Sequence, residues 1–178
     1  MAKFFDELTP DHIAFVNKQQ MFFVATAGAE GRVNLSPKGL DSLRIADNKL
    51  VHWLNLTGSG NETAAHVLEN QRMTLMLCSF AKAPLILRIY GTARMTQPRD
   101  AQWSELIRLF PEHRSARQVF SLDVDMVQTS CGYAVPFYEF SGERDTLTRS
   151  AQKRSHDELE EYWQSKNSLS VDGKETGI

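Results

Sequence analysis

The chain has 178 residues, 42% of them hydrophobic, with 20 basic against 22 acidic side chains and a formal net charge of −2. That length suits one domain able to bury roughly two-thirds of its unfolded surface, and a slightly acidic balance argues against a broad nucleic-acid surface, which needs a basic excess. No apolar run reaches membrane-spanning length, the opening Met-Ala-Lys-Phe-Phe-Asp-Glu lacks the features of a signal peptide, and Cys78 and Cys131 form no CxxC or metal pattern, so a cytoplasmic protein with free thiols is expected.

Thr9-Pro10-Asp11 opens a helix predicted over residues 9–18, with a capping hydroxyl, proline at the first helical position and Ile13 and Val16 for burial. Residues 21–26 and 32–36 read as a β-hairpin about the turn Ala27-Gly28-Ala29-Glu30-Gly31, and Ser36-Pro37-Lys38-Gly39 is expected to break its second strand. Residues 43–46 and 50–56 form another strand pair. Then comes a glycine-spaced polar turn, Thr57-Gly58-Ser59-Gly60-Asn61-Glu62-Thr63, a short helix over 64–70 and a strand over 73–80. Residues 85–95 make a long strand in which Gly91 marks a bulge or a close backbone approach. A helix opened by Pro98 and Asp100 buries Trp103, Leu106 and Ile107, a last strand covers 117–128, and a charged helix runs over 145–166. The tail from Ser168 is polar and expected to be loosely ordered. With no repeat and no linker, the pattern predicts one domain over 1–178. It is an antiparallel, Greek-key-like barrel, mainly β, with helices packed outside.

The glycine turn supports two readings. Ser59 and Glu62 have the spacing of a capping box before an apolar helical stripe, which describes an ordinary well-capped helix. The same turn places unpaired backbone N–H groups and a helix N-terminus at a sheet end, which suits a phosphate. Arg88, inside the apolar strand Leu85-Ile86-Leu87-Arg88-Ile89-Tyr90, is costly unless paired or at an edge. Either it meets a neighbouring carboxylate, or Arg32, Lys38 and Arg88 converge with the turn on one anionic ligand. The five histidines lack ligand spacing, so no metal site is expected. There is no nucleophile elbow and no GxGxxG unit, and Cys131 has no neighbouring cation to activate it.

The series Arg32-Val33-Asn34-Leu35-Ser36-Pro37-Lys38-Gly39, Gly58-Ser59-Gly60-Asn61-Glu62-Thr63-Ala64 and Leu87-Arg88-Ile89-Tyr90-Gly91 resembles the pyridoxamine 5'-phosphate oxidase-like family of FMN-binding split-barrel proteins. Thr129-Ser130-Cys131-Gly132-Tyr133-Ala134-Val135-Pro136 is similar to the ending of one branch of it. The resemblance implies a homodimer of split β-barrels with two FMN sites at the subunit interface. It implies that Arg32, Val33, Asn34, Leu35 and Ser36 lie along the flavin, with Lys38 and Asn55 nearby. It also implies that Thr57, Gly58, Ser59, Gly60, Asn61 and Thr63 hold the ribityl phosphate, and that Arg88 adds charge from the neighbouring strand. Three departures count against pyridoxamine phosphate as the substrate. Asn61-Glu62 stands where the oxidases have a basic pair, Ile86 stands where they have glutamine, and Arg154-Ser155-His156, with the spacing of their Arg-x-His motif, falls in a predicted helix. The expected function is an FMN-dependent oxidoreductase acting on a small molecule, with no residue assigned as acid or base. The alternatives are a non-enzymatic flavin- or haem-binding module and a cofactor-free dimeric barrel.

Overall fold

A computed structural model describes residues 2–178 and builds them around an eight-stranded antiparallel sheet. In chain order the elements are β1 (Lys3–Phe5), α1 (Pro10–Val16), β2 (Phe22–Thr26), β3 (Asn34–Lys38), β4 (Leu43–Ile45), β5 (Leu50–Leu56), α2 (Glu62–Glu69), β6 (Arg72–Cys78), β7 (Ile86–Thr96) and α3 (Trp103–Leu106). A 3-10 turn over Ile107–Leu109 leads to β8 (Ala116–Ser130), α4 (Thr146–Gln152) and α5 (His156–Lys166). The strand order is β3-β2-β6-β7-β8-β5-β4, and β1 adds to the far end of β8. Strand β8 is long enough to pair with β7 along one edge and with β5 and then β1 along the other, which curls the sheet into the expected split barrel.

Period-2 alternation decides what the barrel encloses. Val24, Leu75, Ile89 and Val127 occupy one cross-strand row and are fully buried, and the next row, Phe23, Met76, Arg88 and Gln128, faces outward. The core is completed by Val51, Trp53, Phe120 and Leu122, with Trp53 stacked on Phe120 at 4.6 Å between ring centroids. A smaller cluster of Leu54, Phe110 and Val119 covers the other face of β5 beneath α3. This is why the β5 segment reads as a continuous apolar run rather than an alternating one.

Three sequence expectations are revised. Pro37 does not end the hairpin: β3 continues through it to Lys38, because β3 is an edge strand and a missing N–H there breaks no ladder bond. The charged helix is two helices, divided at Lys153-Arg154-Ser155, and Ser155 caps the second through a reciprocal pair of bonds with Glu158. The segment after α5 is folded: Asn167 and Thr176 are fully buried, Ser170 N–H donates to the Lys174 carbonyl at 2.8 Å, and Leu169 bridges to Glu175. The bulge expected at Gly91 is present, at the register shift between Tyr90 and Gly91.

Candidate functional site

The glycine turn between β5 and α2 lies beside a polar cavity of about 290 Å³. Asn34, Ser36 and Lys38 reach it from β3, their side chains sharing the inward face set by their pairing with Thr26, Val24 and Phe22. Asn55 enters from the end of β5, and Gly58, Ser59, Gly60, Asn61, Glu62 and Thr63 form the turn side of the wall. Arg117, at the start of β8, closes it.

Hydrogen bonds among these side chains hold the wall in one arrangement. Asn34 Nδ2 donates to Thr26 Oγ1 at 3.2 Å and Thr63 Oγ1 at 3.1 Å, and Asn34 Oδ1 accepts from Ser36 at 2.8 Å. Asn55 Nδ2 lies 2.8 Å from Gln118 Oε1 and 3.3 Å from Asn61 Oδ1. The capping box between Ser59 and Glu62 does not form. Asn61 takes the N-cap position without a side-chain cap bond, and the Glu62 carboxylate turns to the C-terminal segment, accepting from Val171 N–H at 3.0 and 3.1 Å. Helix α2 thus begins with first-turn N–H groups that have no intrahelical partner, at the end of the helix that borders the cavity.

The electrostatics of the cavity are unusual. Arg117 is 2% exposed, yet its partners are neutral: its guanidinium donates to Asn167 Oδ1 and, at 3.1 Å, to the Gly60 carbonyl. Its Nε, like Asn61 Nδ2, is buried with no hydrogen-bond partner. Among the described residues no carboxylate forms an ion pair with Arg117 or Lys38, whose Nζ sits 5.3 Å above the Trp53 ring. Burial, and then the Arg117 charge, push the Lys38 ammonium down to about 8. Burial also lowers Arg117, to about 10, against a partial offset from Tyr162. Two neighbouring cations kept from water without a counter-charge are unfavourable by themselves, and an anion between them would relieve both.

The remaining predicted site residues lie elsewhere. Arg32 is exposed and paired with Asp172, and Val33 and Leu35 are exposed at 75% and 62% on the outer edge of the sheet. Thr57 is buried behind the turn, donating to the Ser115 carbonyl at 3.0 Å and accepting from Trp163 Nε1 at 2.8 Å. Arg88 faces the opposite side of the sheet from Lys38 and donates to Ser130 Oγ at 3.3 Å. The expected convergence of Arg32, Lys38 and Arg88 therefore does not occur within one chain, because strand alternation sends Lys38 inward and Arg88 outward. Neither Cys131 nor Tyr133 borders the cavity, and Cys78 and Cys131 are both free thiols. Arg117, and not Arg88, is the arginine that lines the cavity. Its sequence signal was weak, an arginine beside Gln118 at the start of a strand that also holds Ser121, Asp123 and Asp125, and only the β5–β8 register brings it to the turn.

An antiparallel split barrel with a cationic cavity at a glycine turn defines the general class. Two solved structures share this fold: HupZ of Group A Streptococcus, 22% identical, with a TM-score of 0.54 over 67% of this chain and 91% of that one, and a candidate pyridoxamine 5'-phosphate oxidase of Lactobacillus delbrueckii, 18% identical, with a TM-score of 0.57 over 69% of this chain and 94% of that one. The family model described as pyridoxamine 5'-phosphate oxidase matches residues 8–131. A pyridoxamine 5'-phosphate oxidase family protein of Aspergillus flavus, ustO, is 32% identical over 97% of this chain and 77% of its own length. The chain belongs to the pyridoxamine 5'-phosphate oxidase family.

Proposed function

We propose that this protein is an FMN-binding flavoprotein and that its cavity takes the phosphate end of the cofactor. The observation that carries this reading is the pair of cations beside the glycine turn, half-buried Lys38 and buried Arg117, neither of them in an ion pair with a carboxylate among the described residues. A phosphate monoester supplies the charge they lack, and the open first-turn amides of α2 and the hydroxyls of Ser59 and Thr63 are suitable donors to its oxygens. Arg117 Nε and Asn61 Nδ2, both buried without a partner, fit the same ligand.

A cavity of about 290 Å³ accommodates a phosphate and the start of a ribityl chain but not a tricyclic ring. The ring would lie outside it along β3, whose outer backbone edge is unpaired and whose Val33 and Leu35 are exposed apolar neighbours. A second copy of the chain would cover that edge, which makes the flavoprotein a homodimer in this reading. Bound FMN supplies hydride or electron transfer to or from a small substrate. The chain's own part is to hold the phosphate, orient the ring and keep water from it. Haem finds no comparable support at this cavity, because no histidine borders it.

Titration of the purified chain with FMN and riboflavin, followed by flavin fluorescence, tests the reading. FMN is expected to bind well ahead of riboflavin, and Lys38→Ala or Arg117→Ala is expected to weaken FMN binding by roughly 10- to 100-fold, the effect of losing one charge-assisted contact to phosphate. Equal affinity for the two flavins, or no binding of either, overturns it. Bleaching of the bound flavin by reduced nicotinamide, with recovery in air, is the expected sign of an oxidoreductase.

A further inference from the structure

A buried arginine is usually held by a carboxylate, which neutralises it. Arg117 is held instead by a carboxamide from the far end of the chain, Asn167, fifty positions away in sequence. The orientation of that amide is determined by its other half: Asn167 Nδ2 donates to the Gly58 carbonyl at 3.2 Å, which leaves only Oδ1 to face the guanidinium. Asn167 is itself fully buried, its N–H donating to the Trp163 carbonyl at 2.8 Å and its carbonyl accepting from the Thr176 hydroxyl. Thus one neutral side chain ties together the glycine turn, the cavity's arginine and the C-terminal segment. It satisfies a guanidinium N–H without removing any of the charge.

We propose that Asn167 is a positioning residue that orients Arg117 toward a phosphate monoester while leaving its charge uncompensated, so that the segment after α5 is a working part of the anion site. The inference rests on the phosphate reading of the cavity. The rest of that segment is fastened consistently with this role. Val171 N–H donates to the Glu62 carboxylate at the cavity wall, and Thr176 and Ser170 lock the segment's own backbone. Its exposed ion pairs, Asp172 with Arg32 and Lys174 with Glu69, add little by comparison.

The near-isosteric change Asn167→Asp is the decisive variant, because it preserves volume while placing a negative charge against Arg117 and removing the donor to Gly58. Asn167→Ala removes both bonds but leaves the cation uncompensated. FMN affinity is expected to fall roughly 10- to 100-fold in Asn167→Asp and less in Asn167→Ala, while riboflavin affinity changes by no more than about twofold in either. A purely structural role predicts that both flavins weaken together, or that alanine is the worse change; either result overturns the proposal, as does wild-type FMN affinity in Asn167→Asp. Should both variants fail to fold, the wild-type chain still decides it. On titration with inorganic phosphate the Arg117 Nε–H resonance is expected to shift, and a resonance that stays in place while phosphate binds sinks the idea. A wild-type chain that binds neither FMN nor phosphate refutes the cofactor reading itself. Tight FMN binding that is indifferent to Asn167→Asp refutes only the role of Asn167.

Discussion

At the scale of single residues, Lys38 and Arg117 connect stability to binding. Folding moves Lys38 from water to a half-buried place over Trp53, and its ammonium is lowered to about 8. A lysine whose pKa is lower in the folded state binds fewer protons there than in the unfolded chain, so the ligand-free protein gains stability as pH rises from about 8 toward the unfolded value. Affinity for a phosphate ligand runs the other way, because the neutral amine no longer attracts the anion. Thermal midpoints of the ligand-free protein should therefore climb between about pH 8 and 10, and FMN affinity should decline over the same range. Both slopes should flatten in Lys38→Met. A wild-type profile that matches the variant's would show that the half-buried Lys38 does not titrate in this range.

At the scale of elements, three possible capping boxes show how far local chemistry reaches. Thr9 with His12, and Ser155 with Glu158, each close reciprocally at the start of their helices. Ser59 with Glu62 has the same spacing and does not close, since Val171 competes for the carboxylate and the turn is held open by Arg117 and Asn167. The local signal was correct in type and lost to a tertiary contact more than a hundred residues distant. Gly91 illustrates the opposite outcome. Its role as a close backbone approach was legible, and a Cβ built there would stand 2.0 Å from the Asp123 carbonyl oxygen. Relief requires the β7–β8 pairing to spread at its bulge, so Gly91→Ala should cost about 2–4 kcal/mol in denaturant unfolding. A loss under about 0.5 kcal/mol would mean that the two strands are not packed as described.

At the scale of the whole molecule, the outward sheet face and the free edge of β3 leave Phe4, Val33, Leu35 and Met126 in solvent, with Arg88 and Tyr90 among them. Apolar groups in such a setting are expected to be covered by a partner. Sedimentation should give a dimer, and Leu35→Glu should shift it toward monomer with weaker FMN retention. A monomeric wild-type protein with undiminished FMN affinity would rule out the shared site. No helix among the described residues is long and apolar enough to cross a membrane, which agrees with the absence of a long apolar run.

The strands from β2 onward, the hairpins, the bulge and the location of a polar turn before α2 were determined by the sequence, because alternation, glycine placement and capping hydroxyls act over a few residues, whereas the three-residue β1 exists only through its pairing with β8. Pro37 was misread because the rule against proline in strands depends on whether the strand is central or at an edge, which no local pattern records. The cationic cavity was only half legible for the same kind of reason. Lys38 and the glycine turn declare themselves by type and spacing. Which arginine faces them depends on strand register, and what holds that arginine depends on a tail whose polar composition suggested no fixed structure. Burial, charge without a counter-charge and contact across the whole length of the chain are properties of the packed molecule, and only the tertiary structure decides them.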